Sequence, residues 1–145
     1  MKIAISTAPQ ATIFPDGHFE LLPHHVWLWT DAVLGVQEHG ALPSVACLIA
    51  LNGAGISIQG LMDHLETPPQ DVLFGEIAID LDRPLATNIT YRITTRITAV
   101  ERKQGRRIPA FDRVTIVQEL MDITTDARIA AVKQIWIVSR RGPAQ

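Results

Sequence analysis

From Gly40 to Ile58 the chain is small or aliphatic at nearly every position, reading Gly40-Ala41-Leu42-Pro43-Ser44-Val45-Ala46-Cys47-Leu48-Ile49-Ala50-Leu51-Asn52-Gly53-Ala54-Gly55-Ile56 through its centre. Pro43 suits a first helical turn, where a missing N–H costs nothing. The residues after it leave no polar stripe to face water, so the segment predicts a helix wrapped by other structure rather than one lying on a surface. Everything after about Asp71 reads as long strands. The economical arrangement is α+β: a curved antiparallel sheet wrapped around a central buried helix. The same run is the one candidate for a membrane span. Pro43 at one end and Asn52, Gly53 and Gly55 at the other leave its uninterrupted part too short for a bilayer, so a core helix and no membrane partner are expected.

At 145 residues the chain is long enough to bury a sizeable core and short enough for a single domain, read as 1–145 with an arm at 1–18 and a tail at 140–145. A formal net charge of −2, with the cations spread along the strands, gives no electrostatic case for nucleic acid. The lone cysteine, Cys47, can form no intrachain disulfide and reads as a small core residue. A reducing, cytoplasmic setting is expected. Met1-Lys2-Ile3-Ala4-Ile5 lacks the long apolar stretch of a secretory signal.

Lys2 to Ser6 alternates, and Pro15-Asp16-Gly17 reads as a turn, so the first residues predict a mobile or partner-draped arm. Phe19-Glu20-Leu21 is a short strand. Pro23 then opens a helix over His24 to Leu34, stopped by Gly35, with Val26, Leu28, Trp29 and Val33 as its apolar positions and His24, His25 and Asp31 facing solvent. Leu61 to Gln70, ending in Pro68 and Pro69, reads as a connector with one helical turn at most. Val72 to Asp80 is a strand. The clearest period of two runs from Asn88 to Glu101, with Tyr91, Ile93, Ile97 and Ala99 on one face and Arg92, Thr94, Arg96 and Thr98 on the other. A charged hairpin over Glu101 to Arg107 leads to a strand over Phe111 to Ile123, with Val114, Ile116 and Leu120 on one side. The last strand, Arg128 to Ser139, is apolar on both faces: Ile129, Ala131, Ile135 and Ile137 on one, Val132, Trp136 and Val138 on the other. That second apolar face predicts a sheet covered on its convex side by another chain.

A short helix, a buried helix, a connector and then long antiparallel strands resembles the hot-dog fold. Two stretches narrow the likeness. Leu81-Asp82-Arg83-Pro84-Leu85 running into Ile89-Thr90-Tyr91 resembles the strand lead-in of MaoC-like dehydratases. The hairpin Ile97 to Arg107, followed by Val114 to Leu120, is similar to that of the N-terminal dehydratase domains in that family. The resemblance spans roughly Phe19 to Arg140. It implies a hot-dog domain pairing with a second one, as homodimer or heterodimer, an acyl-CoA or acyl-carrier-protein thioester as ligand, and (R)-specific hydration of an enoyl group or its reversal.

Catalytic members carry an Asp and a His on the loop before the central helix to activate water. A backbone N–H at that helix's N-terminus polarises the thioester carbonyl. Here that loop is cut to Gly35-Val36-Gln37-Glu38-His39-Gly40. Aligned from Gly35, it puts Val36 where the Asp belongs and Ala41 where the His belongs. No Asp-then-His pair at the family spacing occurs elsewhere in the chain. The favoured expectation is a subunit that shapes an acyl-chain cavity beside a catalytic partner.

An active homodimeric hydratase or thioesterase using His39 with Glu38 or Asp31 is the alternative, and a non-catalytic carrier of an acyl or other apolar ligand is the third reading. Solvated loop residues ahead of a helix would look the same as His39 and Glu38. For the ligand, the N–H groups around Gly40, Ala41 and Leu42 can meet a carbonyl or phosphate. The Asn52 amide can meet a pantetheine amide or a strand backbone, and Arg102 and Arg106 can meet CoA phosphates or simply cap a solvated hairpin. No cofactor and no metal is expected; His24 and His25 lack a carboxylate or cysteine to complete a site.

Overall fold

The computed structural model describes residues 12–33, 35, 41–107 and 109–140. Its elements in chain order are β1 (Thr12–Ile13), β2 (Gly17–Leu21), α1 (Pro23–Ala32), α2 (Val45–Gly53), α3 (Ile58–His64), a 3₁₀ turn at Pro69–Asp71, β3 (Val72–Leu81), β4 (Ile89–Lys103), β5 (Phe111–Asp122) and β6 (Arg128–Ser139). The six strands form one sheet of order β1-β4-β5-β6-β3, with β2 also on the outer side of β4, and every pairing is antiparallel. This is the hot-dog arrangement.

The buried helix is α2. Val45, Ala46, Ile49 and Ala50 are fully buried, and α2 packs against β2, β4, β5 and β6. Burying side chains such as Val45 and Ile49 favours folding by about 1.5–3 kcal/mol each, which outweighs the weak intrinsic stability of so short a helix. The expected helix over Leu42 to Ile58 is cut to nine residues, and the reason is a crossing of two backbones. A Cβ placed on Gly53 would lie 2.5 Å from Ile93 Cδ1 and 2.8 Å from Phe19 Cβ, and one on Gly55 would lie 2.0 Å from Pro15 O. The chain must leave the helix where Pro15–Phe19 passes.

It then re-enters helix at α3, where Ser57 Oγ accepts the Gly60 N–H at 2.9 Å as an N-cap. The stretch from Leu61 to Gln70, expected as a connector, therefore begins inside α3, whose Leu61 and Met62 are buried. By length and composition α2 and α3 together pass for a span, but they bend by 65° at the break, and no single helix among the described residues can cross a membrane.

Two apolar clusters fill the space between sheet and helices. Under α2 lie Leu21, Val26, Tyr91, Ile93, Leu120, Ala130 and Val132. Under α3 lie Phe14, Ile97, Val100, Val114, Ile116, Trp136 and Val138.

Four further expectations are corrected. The arm expected over 1–18 is strand at Thr12–Ile13 and again from Gly17, paired to β4; residues 1–11 lie outside the described residues. Arg140, assigned to a frayed tail, donates from Nε to Asp112 at 2.9 Å and from its terminal nitrogens to the Leu65 and Glu66 carbonyls, closing the C-terminus of α3. The register shifts between Ile97 and Ala99, so Val100 and not Ala99 continues the buried face of β4. On α1, Val26 and Thr30 are buried while Leu28 and Val33 are exposed, because this short helix meets the core along one narrow line. The outer face of the sheet carries ion pairs. Arg96 pairs with Glu119, and Arg128 with Glu119, Asp80 and Asp82, while Ile135 is already 4% exposed in the single chain. Exposed apolar side chains gather at the β3 edge, where Leu73 and Phe74 are 62% and 61% exposed and Ile77 52%.

Candidate functional site

Midway along the helix-facing side of β4, β5 and β6 the apolar alternation breaks: at Thr95 on β4, Gln118 on β5 and Gln134 on β6. Thr95 and Gln118 are direct partners in register, and Gln134 sits one pair further along, opposite Ile77 of β3. The three form a diagonal polar row that separates the two apolar clusters.

Thr95 is fully buried and Gln118 is 3% exposed. A buried carboxamide must spend its hydrogen bonds within the protein. Gln118 Nε2 donates to the Ala50 carbonyl of α2 at 3.0 Å and to Thr95 Oγ1 at 3.2 Å. Its Oε1 accepts from Gln134 Nε2 at 2.9 Å, and Gln134 Oε1 accepts from the Trp136 indole at 3.1 Å. The row thus ties the middle of α2 to the sheet and ends at Gln134.

There the structure opens. A groove of about 470 Å³ is lined by Leu51, Ile58, Phe74, Gly75, Glu76, Ile77, Gln134 and Trp136. Its size suits a small-molecule site. One wall is the α2–α3 junction; the other is the β3 edge, where Phe74 meets Trp136 edge-on with ring centroids 5.2 Å apart. The lining is apolar apart from Gln134 and Glu76. A second hollow, of about 330 Å³, sits against β3 and β6 beside Ala78, Asp80, Ala131 and Lys133.

The sequence-predicted site residues are placed elsewhere. Glu38, His39 and Gly40 lie outside the described residues. Asp31 is exposed on α1. Ala41 and Leu42 pack half-buried against the cluster under α2, and the N–H groups of Val45, Ala46 and Cys47 are taken by the carbonyls of Leu42, Pro43 and Ser44. Asn52, expected buried, is exposed and donates to Leu48 O within its own helix. Arg102 donates to Asp112 at 2.6 Å, sharing that 5%-exposed carboxylate with Arg140. Arg106 is exposed beyond the end of β4.

Burial pushes the Cys47 thiol up, away from the reactive thiolate. Burial, then the His24 ring 4.2 Å away, lowers the His25 imidazole, whose Nδ1 accepts the Leu22 N–H at the start of α1. Trp29, on the same helix, donates from its indole to Ser44 Oγ at 2.9 Å, fixing α1 to the start of α2. Among the described residues no group of three or more His, Cys, Asp or Glu side chains can hold a metal ion.

The helix-on-sheet architecture and its strand order define a hot-dog domain with an apolar groove at one sheet edge. No protein-family model matches the sequence, and no curated protein does. Solved structures share the fold. A MaoC-like dehydratase from Rhodospirillum rubrum superposes with a TM-score of 0.62 at 11% identity, over 96% of this chain and 98% of that one. A monoamine oxidase regulatory protein from Archaeoglobus fulgius gives a TM-score of 0.67 at 11% identity, over 95% of each chain. The ChsH1-ChsH2 complex from Mycobacterium tuberculosis gives 0.63 at 11% identity, over 97% of this chain and 90% of that one.

Proposed function

We propose that this chain is a MaoC-like hot-dog subunit that binds acyl thioesters and serves an enoyl-thioester hydratase or dehydratase in the cytosol, beside a second hot-dog chain that supplies the acid/base pair. The observation that carries this reading is the groove between the α2–α3 junction and β3, an apolar slot of acyl-chain dimensions beside an exposed sheet edge. Among the described residues β3 is the outer strand on this side, and an edge strand bearing Leu73, Phe74 and Ile77 is a template for another chain's edge. A partner strand laid along it would also roof the groove. The fold shared with a MaoC-like dehydratase and with a two-component complex supports the same reading. So does the chain's own sequence, which offers no Asp/His pair at the family spacing.

The test is hydration of crotonyl-CoA by the purified chain, alone and mixed with a hot-dog protein that carries the Asp/His pair. Activity only in the mixture is the expected result. Activity of the chain alone that is lost in His39→Ala would replace this reading with the self-sufficient hydratase. Ligand binding with no turnover in either case would leave an apolar-ligand carrier.

A further inference from the structure

We infer that Gln134, held in place by Gln118, makes the groove selective for an acyl chain carrying one neutral hydrogen-bonding oxygen, a hydroxyl or keto group within the chain, over a plain hydrocarbon chain of the same length. The inference rests on the acyl-binding reading above and adds a substrate class to it.

The polarity of the buried row is forced by its two ends. The Trp136 indole can only donate, and the Ala50 carbonyl can only accept. Gln134 must therefore turn its oxygen to Trp136 and its nitrogen to Gln118, and Gln118 must turn its oxygen to Gln134 and its nitrogen to α2, as the distances show. A carboxamide has two N–H donors and two oxygen lone pairs. Gln134 spends one N–H on Gln118 and one lone pair on Trp136 among the described residues. Its second N–H and second lone pair remain, on a half-buried side chain in the wall of the groove.

The rest of that wall sets the character of the ligand. Leu51, Ile58, Phe74, Ile77 and Trp136 offer only hydrocarbon, aromatic carbon and an indole N–H already in use. A saturated chain seated there would bury the remaining Gln134 groups without partners, which is unfavourable. A hydroxyl beside Gln134 would satisfy both, and a keto oxygen the remaining N–H. The oxygen must be neutral, because among the described residues of the wall the one ionisable side chain is the carboxylate of Glu76, which repels an anion, with no cation among them. A pantetheine arm fits less well, because its two amides and its hydroxyls need more polar partners than a single carboxamide provides.

The probes are methyl decanoate and its 4-, 5-, 6- and 7-oxo and hydroxy analogues, titrated calorimetrically into the full chain. At least one oxygenated ester should bind roughly tenfold more tightly than the plain ester. Gln134→Leu should bring that ratio close to one while plain methyl decanoate still binds. Equal binding of every ester by the wild-type chain, or an unchanged preference in folded Gln134→Leu, overturns the inference. If Gln134→Leu does not fold, the wild-type ratio decides alone. Crotonyl-CoA turnover with a partner reports on the parent reading separately: turnover without an oxygen preference removes only this inference, whereas a preference without turnover supports it and removes the hydratase reading.

Discussion

The two edges of the sheet are built on opposite principles. At the β2 edge the backbone of Gly17 runs so close to α2 that a Cβ there would sit 1.7 Å from Gly53 O, and Leu21 at the end of β2 is fully buried. At the β3 edge a Cβ on Gly75 would meet nothing closer than 3.4 Å, and the neighbouring Leu73, Phe74 and Ile77 stand in solvent. One edge is consumed in fixing the buried helix; the other is left as surface, and the groove opens there. Stability belongs to the first edge, and the proposed recognition to the second.

The sharpest way to break that contrast is a single methyl group at each edge. Gly17→Ala is expected to destabilise the chain by about 3 kcal/mol or more, because backbone atoms rather than a flexible side chain must move. Gly75→Ala is expected to stay within about 0.5 kcal/mol of wild type. Urea denaturation of the two variants measures both; similar losses would erase the distinction.

Between the edges, Gln118→Leu strips partners from the Ala50 carbonyl and from Gln134, and is expected to cost about 2–3 kcal/mol by the same measurement. At the open edge, Ile77→Lys should change the stability of the single chain by no more than about 0.5 kcal/mol. It should nonetheless abolish association with a second hot-dog chain, read by sedimentation velocity. Retained association would move the partner off β3.

The smallest expected effect lies at the closed edge, where His25 packs its ring on Phe19 of β2 at 4.9 Å and accepts the Leu22 N–H. Its imidazole titrates lower in the folded chain than the ordinary 6.5. The unfolded chain therefore takes up the proton first as pH falls. The stability this group contributes is present above pH 6.5 and is lost on acidification through the lowered folded value. Melting curves from pH 7.5 to 5 should fall less steeply for His25→Ala than for wild type.

Much of this was legible in the chain itself. Hydrophobic spacing is a local property, so the apolar stretch from Gly40 to Ile58, the four long strands and the two hairpins followed from side-chain periodicity and turn chemistry. The polar row was legible as well, though only as gaps: the buried face of β4 skips Thr95, that of β5 skips Gln118 and that of β6 skips Gln134. Each gap alone looks like an ordinary polar position in a strand. Register decided that the three fall on one diagonal, and register is set by pairing between distant segments.

The tertiary structure alone also decided where the buried helix stops, since Gly53 and Gly55 are compatible with helix until β2 crosses them. It settled the fate of Arg102 and Arg140, whose shared carboxylate on Asp112 comes from another part of the chain. Last, it placed the open edge of the sheet on β3, because an edge exists only once every other strand has found its neighbours.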